Sequence, residues 1–424
     1  MTMTMDANDI LRAHGPDRLR LALDAGRTAE GPGAGTPADA PVPDRVAATP
    51  WRWIDPAKIP PRQWLHDRHY IRKFLTATIS GAGVGKSSHA LLDAVSMASG
   101  RNLLTGSPIR PARVWYWNGE DPQEELHRRI AAIALHYRLD EADLAGRLFI
   151  DNGRDMQIKV AIDDRQRGVV LNRPDIDSVM ETLGRHAIDA CLFDPFVSIH
   201  AVPENDNGAI DMVAKALAGV ADRCDCAIET IHHVRKGNGA ELTVEDARGA
   251  SSLIGAARSV RVLNPMTADE ATKAGVDQNE RRLYFRIDNG KANMAPPAAA
   301  ASWRKLVGVG LGNGTATYPE DQVGVVTAWT WPDAFAGLTS HDLKAVQNRV
   351  AGGRWRADVR SGEWVGRAVA EVLELDLDEE ADRARVKALL RTWLGNRSLV
   401  AVERDDGSRR RRKYVGVGTW VETP

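Results

Sequence analysis

Between Phe74 and His233 the chain alternates two kinds of hydrophobic pattern. Short apolar runs, Ala112–Asn118 (ARVWYWN), Asp189–Asp194 (DACLFD) and Cys226–Thr230 (CAIET), read as strands, the second of them buried. The β-branched stretch Phe74–Ile79 is a further strand. Between them lie 3.6-period stretches. One places Leu91, Leu92, Val95, Met97 and Ala98 on a face and stops at Gly100; another does so with Leu126, Ile130, Ile133, Ala134 and Tyr137. Helices are also predicted at 175–187 and 208–222, the latter with Ile210, Val213, Leu217 and Val220 inward. Strands alternating with helices of this length predict an α/β fold with a mostly parallel sheet. Residues 147–172 add short strands and a hairpin, and Val260–Leu263, Leu283–Asp288, Trp303–Gly310 and Val323–Thr330 complete the sheet.

From about Leu338 the character changes. Three helices (340–350, 363–373 and 380–394, with Val386, Leu389, Leu390 and Trp393 inward) precede a hairpin, Leu399–Glu403 and Arg411–Val417, turning at Asp405-Asp406-Gly407. This order is that of a winged-helix module. At the other end, 8–25 suits a short amphipathic helix broken at Gly15-Pro16, and Gly26–Thr49 is an Ala/Gly/Pro-rich flexible linker. Trp51, Trp53, Ile54, Pro60 and Trp64 are expected to pack as a cover on the sheet edge. The expected domains are thus 1–50, 51–335 and 338–424.

The composition is that of an ordinary globular chain: 43% apolar, formal net charge -1 over 424 residues. Net charge therefore says nothing about nucleic acid, and local clusters carry that argument. The 3 cysteines show no zinc spacing and fit a reducing cytoplasm better than a disulfide framework. No apolar run is long enough for a membrane span.

The chemistry concentrates at Thr76–His89, TATISGAGVGKSSH. Strand, glycine-rich turn and helix form a relaxed phosphate-binding loop, with Ser80 where the strict pattern has glycine. Ser80, Gly81, Ala82, Gly83, Val84, Gly85, Lys86, Ser87 and Ser88 are the nucleotide-binding candidates. Gly81, Gly83 and Gly85 are expected to free the backbone so that N–H groups face phosphate oxygens. Lys86 reaches the β/γ-phosphates, and Ser87 is placed to ligate Mg²⁺. Glu120 stands at the carboxyl end of a strand, where open α/β sheets bind ligands, and can polarise an attacking water. Asp121 and Pro122 suit a helix N-cap and first turn. Asp194 ends an apolar strand about a hundred residues after the loop and is the second candidate for Mg²⁺. One of His232 and His233 can sense a γ-phosphate.

Basic residues recur elsewhere. Arg235 and Lys236 open a glycine-loosened loop that suits either DNA contact or plain solvation. Arg409, Arg410, Arg411, Arg412 and Lys413 lie on the hairpin, and Arg383, Lys387 and Arg391 recur along the third C-terminal helix, which together fit phosphate-backbone binding.

SGAGVGKSS, NGEDP with its helix, DACLFDPF, TIHHVRKG and RGASSLIGAAR, in that order, resemble the RepA-type hexameric replicative helicases, related in core fold to DnaB and RecA. The resemblance covers roughly 51–331. It implies a RecA-like core that hydrolyses ATP with Mg²⁺ in a cytoplasmic hexameric ring on single-stranded DNA. A primase or initiator partner and service to a plasmid, prophage or integrative element follow from it too. By position it makes Glu120 the catalytic carboxylate, His233 the γ-phosphate sensor, Arg258 an arginine finger for the neighbouring subunit and Lys291 a trans-acting lysine, with Asn293 replacing an expected arginine. The alternative is a nucleotide-switched DNA-binding or loading factor that recruits replication proteins without unwinding.

Overall fold

In the computed structural model the described residues are 47–234, 241–243, 251–296, 301–405 and 411–422. The predicted segment 8–25, the loop residues Arg235 and Lys236, and Arg409 and Arg410 lie outside them. The chain divides into two compact units, Met1–Pro60 and Pro61–Pro424. In the first, Trp51 and Trp53 meet edge to face but are 77% and 75% exposed, with Ile54 also exposed. They are not the buried cover expected of them.

The second unit opens with a two-stranded ribbon, β1 (Trp64–His66) and β2 (Tyr70–Ile71). The α/β part follows: β3 (Leu75–Ser80), α1 (Lys86–Ser99), β4 (Val114–Asn118), α2 (Gln123–Tyr137), α3 (Glu141–Leu144), β5 (Leu148–Asn152), the hairpin β6 (Ala161–Asp164) and β7 (Gly168–Leu171), α4 (Arg173–Arg185), β8 (Ala190–Asp194), α5 (Asn207–Arg223) and β9 (Ala227–His233). Then come α6 (Ser251–Ala256), β10 (Ser259–Pro265), α7 (Ala268–Ala274), β11 (Tyr284–Ala292), β12 (Ser302–Gly310) and β13 (Gln322–Trp329). Nine of these strands form one sheet in the order β13-β12-β11-β10-β3-β9-β8-β4-β5. The run from β10 to β5 is parallel, and β11 to β13 extend it antiparallel. The order puts β3, the strand that runs into the glycine-rich turn, in the middle.

Strand alternation explains the two hydrophobic layers. Leu75, Ala77 and Ile79 of β3, with Trp115 and Trp117 of β4, face α4 and α5. Val114 and Tyr116 face the other way, into a layer with Leu91, Leu92 and Val95 of α1 and Leu126 of α2. The aromatic run of β4 is therefore core on both sides.

Thr76 and Thr78 alternate with the apolar residues of β3 and face a buried ionic network. Arg261 on β10 is paired with Asp93 on α1 at 2.9 Å, and Asp93 also accepts from the Tyr70 hydroxyl at 3.0 Å. Glu229 on β9 accepts from Thr78 at 2.5 Å and from Thr76, and faces His69 at 2.9 Å. His89, one turn before Asp93, is depressed to about 3 by burial, which Asp93 opposes and Arg261 reinforces, so it stays neutral.

After β13 the chain forms α8 (Ser340–Ala351), β14 (Trp355–Arg356), α9 (Val365–Leu373), α10 (Glu380–Gly395), β15 (Leu399–Asp405) and β16 (Arg411–Val417) around a core of their own that includes Val346, Val369, Leu389 and Trp393. The short strand β14 was not expected; it makes a sheet in the order β14-β16-β15. This part is joined to the nine-stranded α/β part through α7. A Cβ added at Gly275, which caps α7, would stand 2.4 Å from the Ala381 Cα in the first turn of α10. Arg385 of α10 donates to the Ala334 and Ala336 carbonyls at 3.0 and 2.6 Å.

Removing one member of a buried ion pair strands the other charge without solvent. Asp93→Ala is expected to cost about 3–5 kcal/mol, read from urea unfolding midpoints, whereas Asp93→Leu combined with Arg261→Met recovers most of that loss. A single variant as stable as the parent would show that the network carries no weight.

Candidate functional site

The turn after β3 takes two left-handed positions, Gly83 at φ +72° and Gly85 at φ +103°. Gly81 is not among them, so its absent Cβ is not required by dihedral angle, contrary to expectation. Gly85 is doubly constrained: a Cβ there would come 3.3 Å from the Phe285 ring. Gly85 is also the N-cap of α1 and offers no side-chain cap, which leaves the first-turn N–H groups of α1 facing the turn. Ser80 is buried, and its hydroxyl donates to the Gly81 carbonyl at 2.8 Å. The Lys86 ammonium approaches the same carbonyl at 3.5 Å. Burial lowers the Lys86 pKa, while Asp194 and Glu120 raise it again, so both carboxylates lie within electrostatic reach of the ammonium.

Asp194 ends β8 beside β4, opposite Asn118. Its Oδ2 accepts from the Tyr116 hydroxyl at 2.7 Å, but Oδ1 is buried without a hydrogen-bond partner. Burial raises this carboxyl, and Tyr116, Ser87 and Lys86 pull it back. The Ser87 hydroxyl thus acts on the carboxylate without closing a hydrogen bond to Oδ1. An orphaned buried carboxylate oxygen beside a hydroxyl suits a small hard cation with oxygen ligands.

Glu120 is exposed at the carboxyl edge of β4. Asn118 holds the turn, its Oδ1 accepting from the Glu120 and Asp121 amides at 3.0 and 2.7 Å. Gly119 is required by close approach, since a Cβ would fall 2.3 Å from the Ser198 Cβ. The Arg154 guanidinium donates to the Glu120 carbonyl at 3.1 Å. Asp121 does not cap the helix. Pro122 is the N-cap of α2, and Asp121 is ion-paired with Arg129 at 2.9 Å.

Both adjacent histidines lie within β9, not beyond it. Alternation separates them: His232 turns inward, 5.9 Å edge to face from Phe196, while His233 lines the cavity over the turn. Burial brings His233 to about 4, reinforced by Lys86, so the imidazole is neutral at physiological pH. The cavity, about 490 Å³, is bounded by Gly83 to Ser88 on one side and by Glu125, Arg128 and Arg129 of α2 on another. Leu306, Gln322, Val323 and Gly324 of β12 and β13 form its third wall, and Arg128 spans it to Asp321 at 3.1 Å. Glu120 and Asp194 are not on the cavity wall.

Arg258 stands apart. Helix α6 ends at Ala256, and Arg258 leads directly into β10, its amide bonded to the Leu75 carbonyl at 2.9 Å. Leu75 begins the strand that Ser80 ends, so about 17 Å of strand separates Arg258 from its own phosphate loop. The Arg258 side chain is exposed at this far edge. Lys291 lies within β11 rather than past it and donates to the Ile254 and Gly255 carbonyls at 2.8 and 2.9 Å, ending α6. Burial and the neighbouring Arg258 charge lower its pKa. Tyr116, Asn118 and Arg154 escaped sequence reading. An aromatic hydroxyl or an amide inside an apolar strand was the available signal, while Arg154 has none.

Residues 40–239 match the family AAA_25, an AAA domain. That span encloses the phosphate loop, Glu120, Asp194 and His233 and stops short of Arg258. Among solved structures the chain is similar to one described as an ATPase domain, at 14% identity and a TM-score of 0.40 over 57% of this chain and 83% of that one. It is also similar to a DnaB-like replicative helicase described with its interactions with primase, at 13% identity and a TM-score of 0.41 over 56% of each chain.

A left-handed N-cap crowded by Phe285 tolerates no side chain without strain. Gly85→Val is expected to lower nucleotide affinity tenfold or more, by roughly the 1–3 kcal/mol such a backbone costs, measured by titration with a fluorescent nucleotide. Gly81→Ala is expected to be the milder change; equal losses would contradict the dihedral account.

Proposed function

We propose that this AAA-type, RecA-like P-loop ATPase is an ATP-driven, ring-forming translocase on single-stranded DNA. It is of the replicative-helicase kind and serves a plasmid, prophage or integrative element. The observation that carries the reading is the separation of one candidate set into two edges of a single sheet. Lys86, Ser87, Glu120, Asp194 and His233 gather at the carboxyl edge, and Arg258 is exposed at the amino edge. In this reading an arginine out of reach of its own phosphate loop serves a neighbour's, and repeating that contact head to tail closes a ring.

In this reading the α1 N-terminus and the loop amides bind the phosphates, and Lys86 moves from the Gly81 carbonyl to the β/γ oxygens. Mg²⁺ supplied with the nucleotide would be held by Ser87 and the free Oδ1 of Asp194 and would neutralise phosphate charge. Tyr116 fixes the Asp194 carboxylate in orientation, as outer hydrogen bonds do for ligating groups. Glu120, held through Asn118 and Arg154, accepts the proton of the attacking water. His233, being neutral, reports the γ-phosphate by a hydrogen bond rather than by charge. Arg258 of the neighbouring subunit spreads the charge of the transferring phosphoryl group, with Lys291 holding the end of α6 beside it.

The C-terminal helices and three-stranded sheet are read as a winged-helix module that binds DNA, with Arg411, Arg412 and Lys413 on its wing. Its attachment through Gly275 favours the second reading, a nucleotide-switched loading factor, because core movements would be passed to a DNA-binding part. A primase or initiator partner belongs to either. Among the described residues no helix is long and apolar enough to cross a membrane.

Mixing separates the roles. Lys86→Ala and Arg258→Ala each lose ATP hydrolysis by on the order of 10³ or more when alone. Together they are expected to recover part of it, at interfaces where an intact phosphate loop meets an intact arginine. Single-stranded DNA is expected to stimulate the parent, and forked-duplex unwinding distinguishes a translocase from a switch. A mixture as inactive as its parts would contradict an arginine acting in trans.

A further inference from the structure

The C-terminal module offers two basic surfaces, and their surroundings differ. On α10, Arg383 and Lys387 line a cavity of about 480 Å³ together with Arg367 and the acids Asp376 and Asp378, so acids offset part of their charge. The first turn of α10 is also met by the Gly275 cap of α7, and Arg385 is committed to the Ala334 and Ala336 carbonyls. A helix held at its N-terminal end against the core is poorly placed to enter a groove end first, as helix-turn-helix modules do.

The outer face of the β14-β16-β15 sheet is built differently. Leu399 and Val415 pack inward on the module's core, so alternation turns Tyr414, Arg412 and Arg404 outward. Arg404 stands directly opposite Arg412 on this face. The acids are on the other side: Glu403 faces Lys413 and Asp405 faces Arg411 across the strands. From β14 and the residue just before it, Arg356 and Arg354 place their guanidinium carbons 5.2 and 5.4 Å from the Tyr414 ring centroid. The ring is only 5% exposed beneath them. It therefore serves as a platform that orients two guanidinium planes rather than as a surface for stacking bases. The Arg356 Nε is buried without a hydrogen-bond partner, and Arg354 and Arg404 are exposed. Gly416, next on this face, leaves open space where a side chain would stand.

We propose that this outward sheet face, centred on Tyr414 and carrying Arg354, Arg356 and Arg404, is a binding surface for the phosphodiester backbone of duplex DNA, and that α10 is not. Among the described strand residues the acids Glu403 and Asp405 lie on the opposite face of the sheet, and Arg354 donates to the Asp405 carbonyl at 3.4 Å. Oriented guanidinium forks match phosphate oxygens, and nothing on it reads base edges. The inference rests on the reading of this module as a DNA-binding unit.

The test uses the full chain and a short fluorescently labelled DNA duplex of mixed sequence, with anisotropy titrations over a series of salt concentrations. Arg354→Ala with Arg404→Ala is expected to weaken binding about tenfold or more at low salt and to flatten the plot of log K against log salt by roughly 2, near 0.9 for each lost phosphate contact. Arg383→Ala with Lys387→Ala is expected to leave affinity and slope unchanged. Unaltered ATP hydrolysis in both double variants checks that each has folded, and Arg404→Lys is expected to keep most of the salt slope. If the α10 pair loses binding and the sheet pair does not, the module binds DNA but the proposed face is wrong. If neither pair changes binding, both the face and the DNA-binding reading of the module fall.

Discussion

The buried pair of Arg261 and Asp93 is the constraint on which the rest of the core depends. Arg261 is on the strand that Arg258 leads into, and Asp93 is on the helix that Lys86 opens. Two charges taken out of water must be matched closely, and here Tyr70 donates to Asp93 while Arg261 donates to Thr78, which is itself bonded to Glu229; the second Asp93 oxygen has only the His66 and His89 rings nearby. The phosphate-loop helix is thereby fixed in register against β3, β9 and β10. A shift of that helix would have to move the strand that Arg258 leads into or break the pair. Such a pair adds little to net stability compared with apolar packing, but it specifies one arrangement.

That arrangement gives each end of the central strands its own task. At the carboxyl edge the strands end in a phosphate loop, a buried aspartate and a neutral histidine. At the amino edge the same sheet presents an arginine beside a lysine that is tied down to helix carbonyls. A strand transmits position along its length because its ladder of hydrogen bonds is stiff. A site divided between subunits can thus be built without a dedicated lever, and α7 extends the same frame to the C-terminal module.

The parts most legible in the sequence were those with a local signature. The strand-turn-helix at Ser80 to Ser87 needs glycine and a lysine at fixed spacing, and buried strands such as ACLFD announce themselves by composition. What escaped depended on partners distant in the chain. Asp121 has the chemistry of a cap, yet Arg129 claims it two turns later. Trp51 and Trp53 are large and apolar, but size does not say what will cover them. β14 is two residues long and exists only because Tyr414 and Val415 pair with it. The Arg261–Asp93 pair joins residues 168 apart, and nothing in either neighbourhood foretells the other.

The central claim is that hydrolysis takes place at a site completed by a second copy of the chain. It is tested most directly by the mass of the particle, measured by light scattering in ATP, Mg²⁺ and single-stranded DNA with a hydrolysis-poor Glu120→Gln variant. A closed multimer that dissociates when nucleotide is removed is the predicted result. A monomer under those conditions, from a protein that still hydrolyses ATP when Glu120 is restored, would contradict the account.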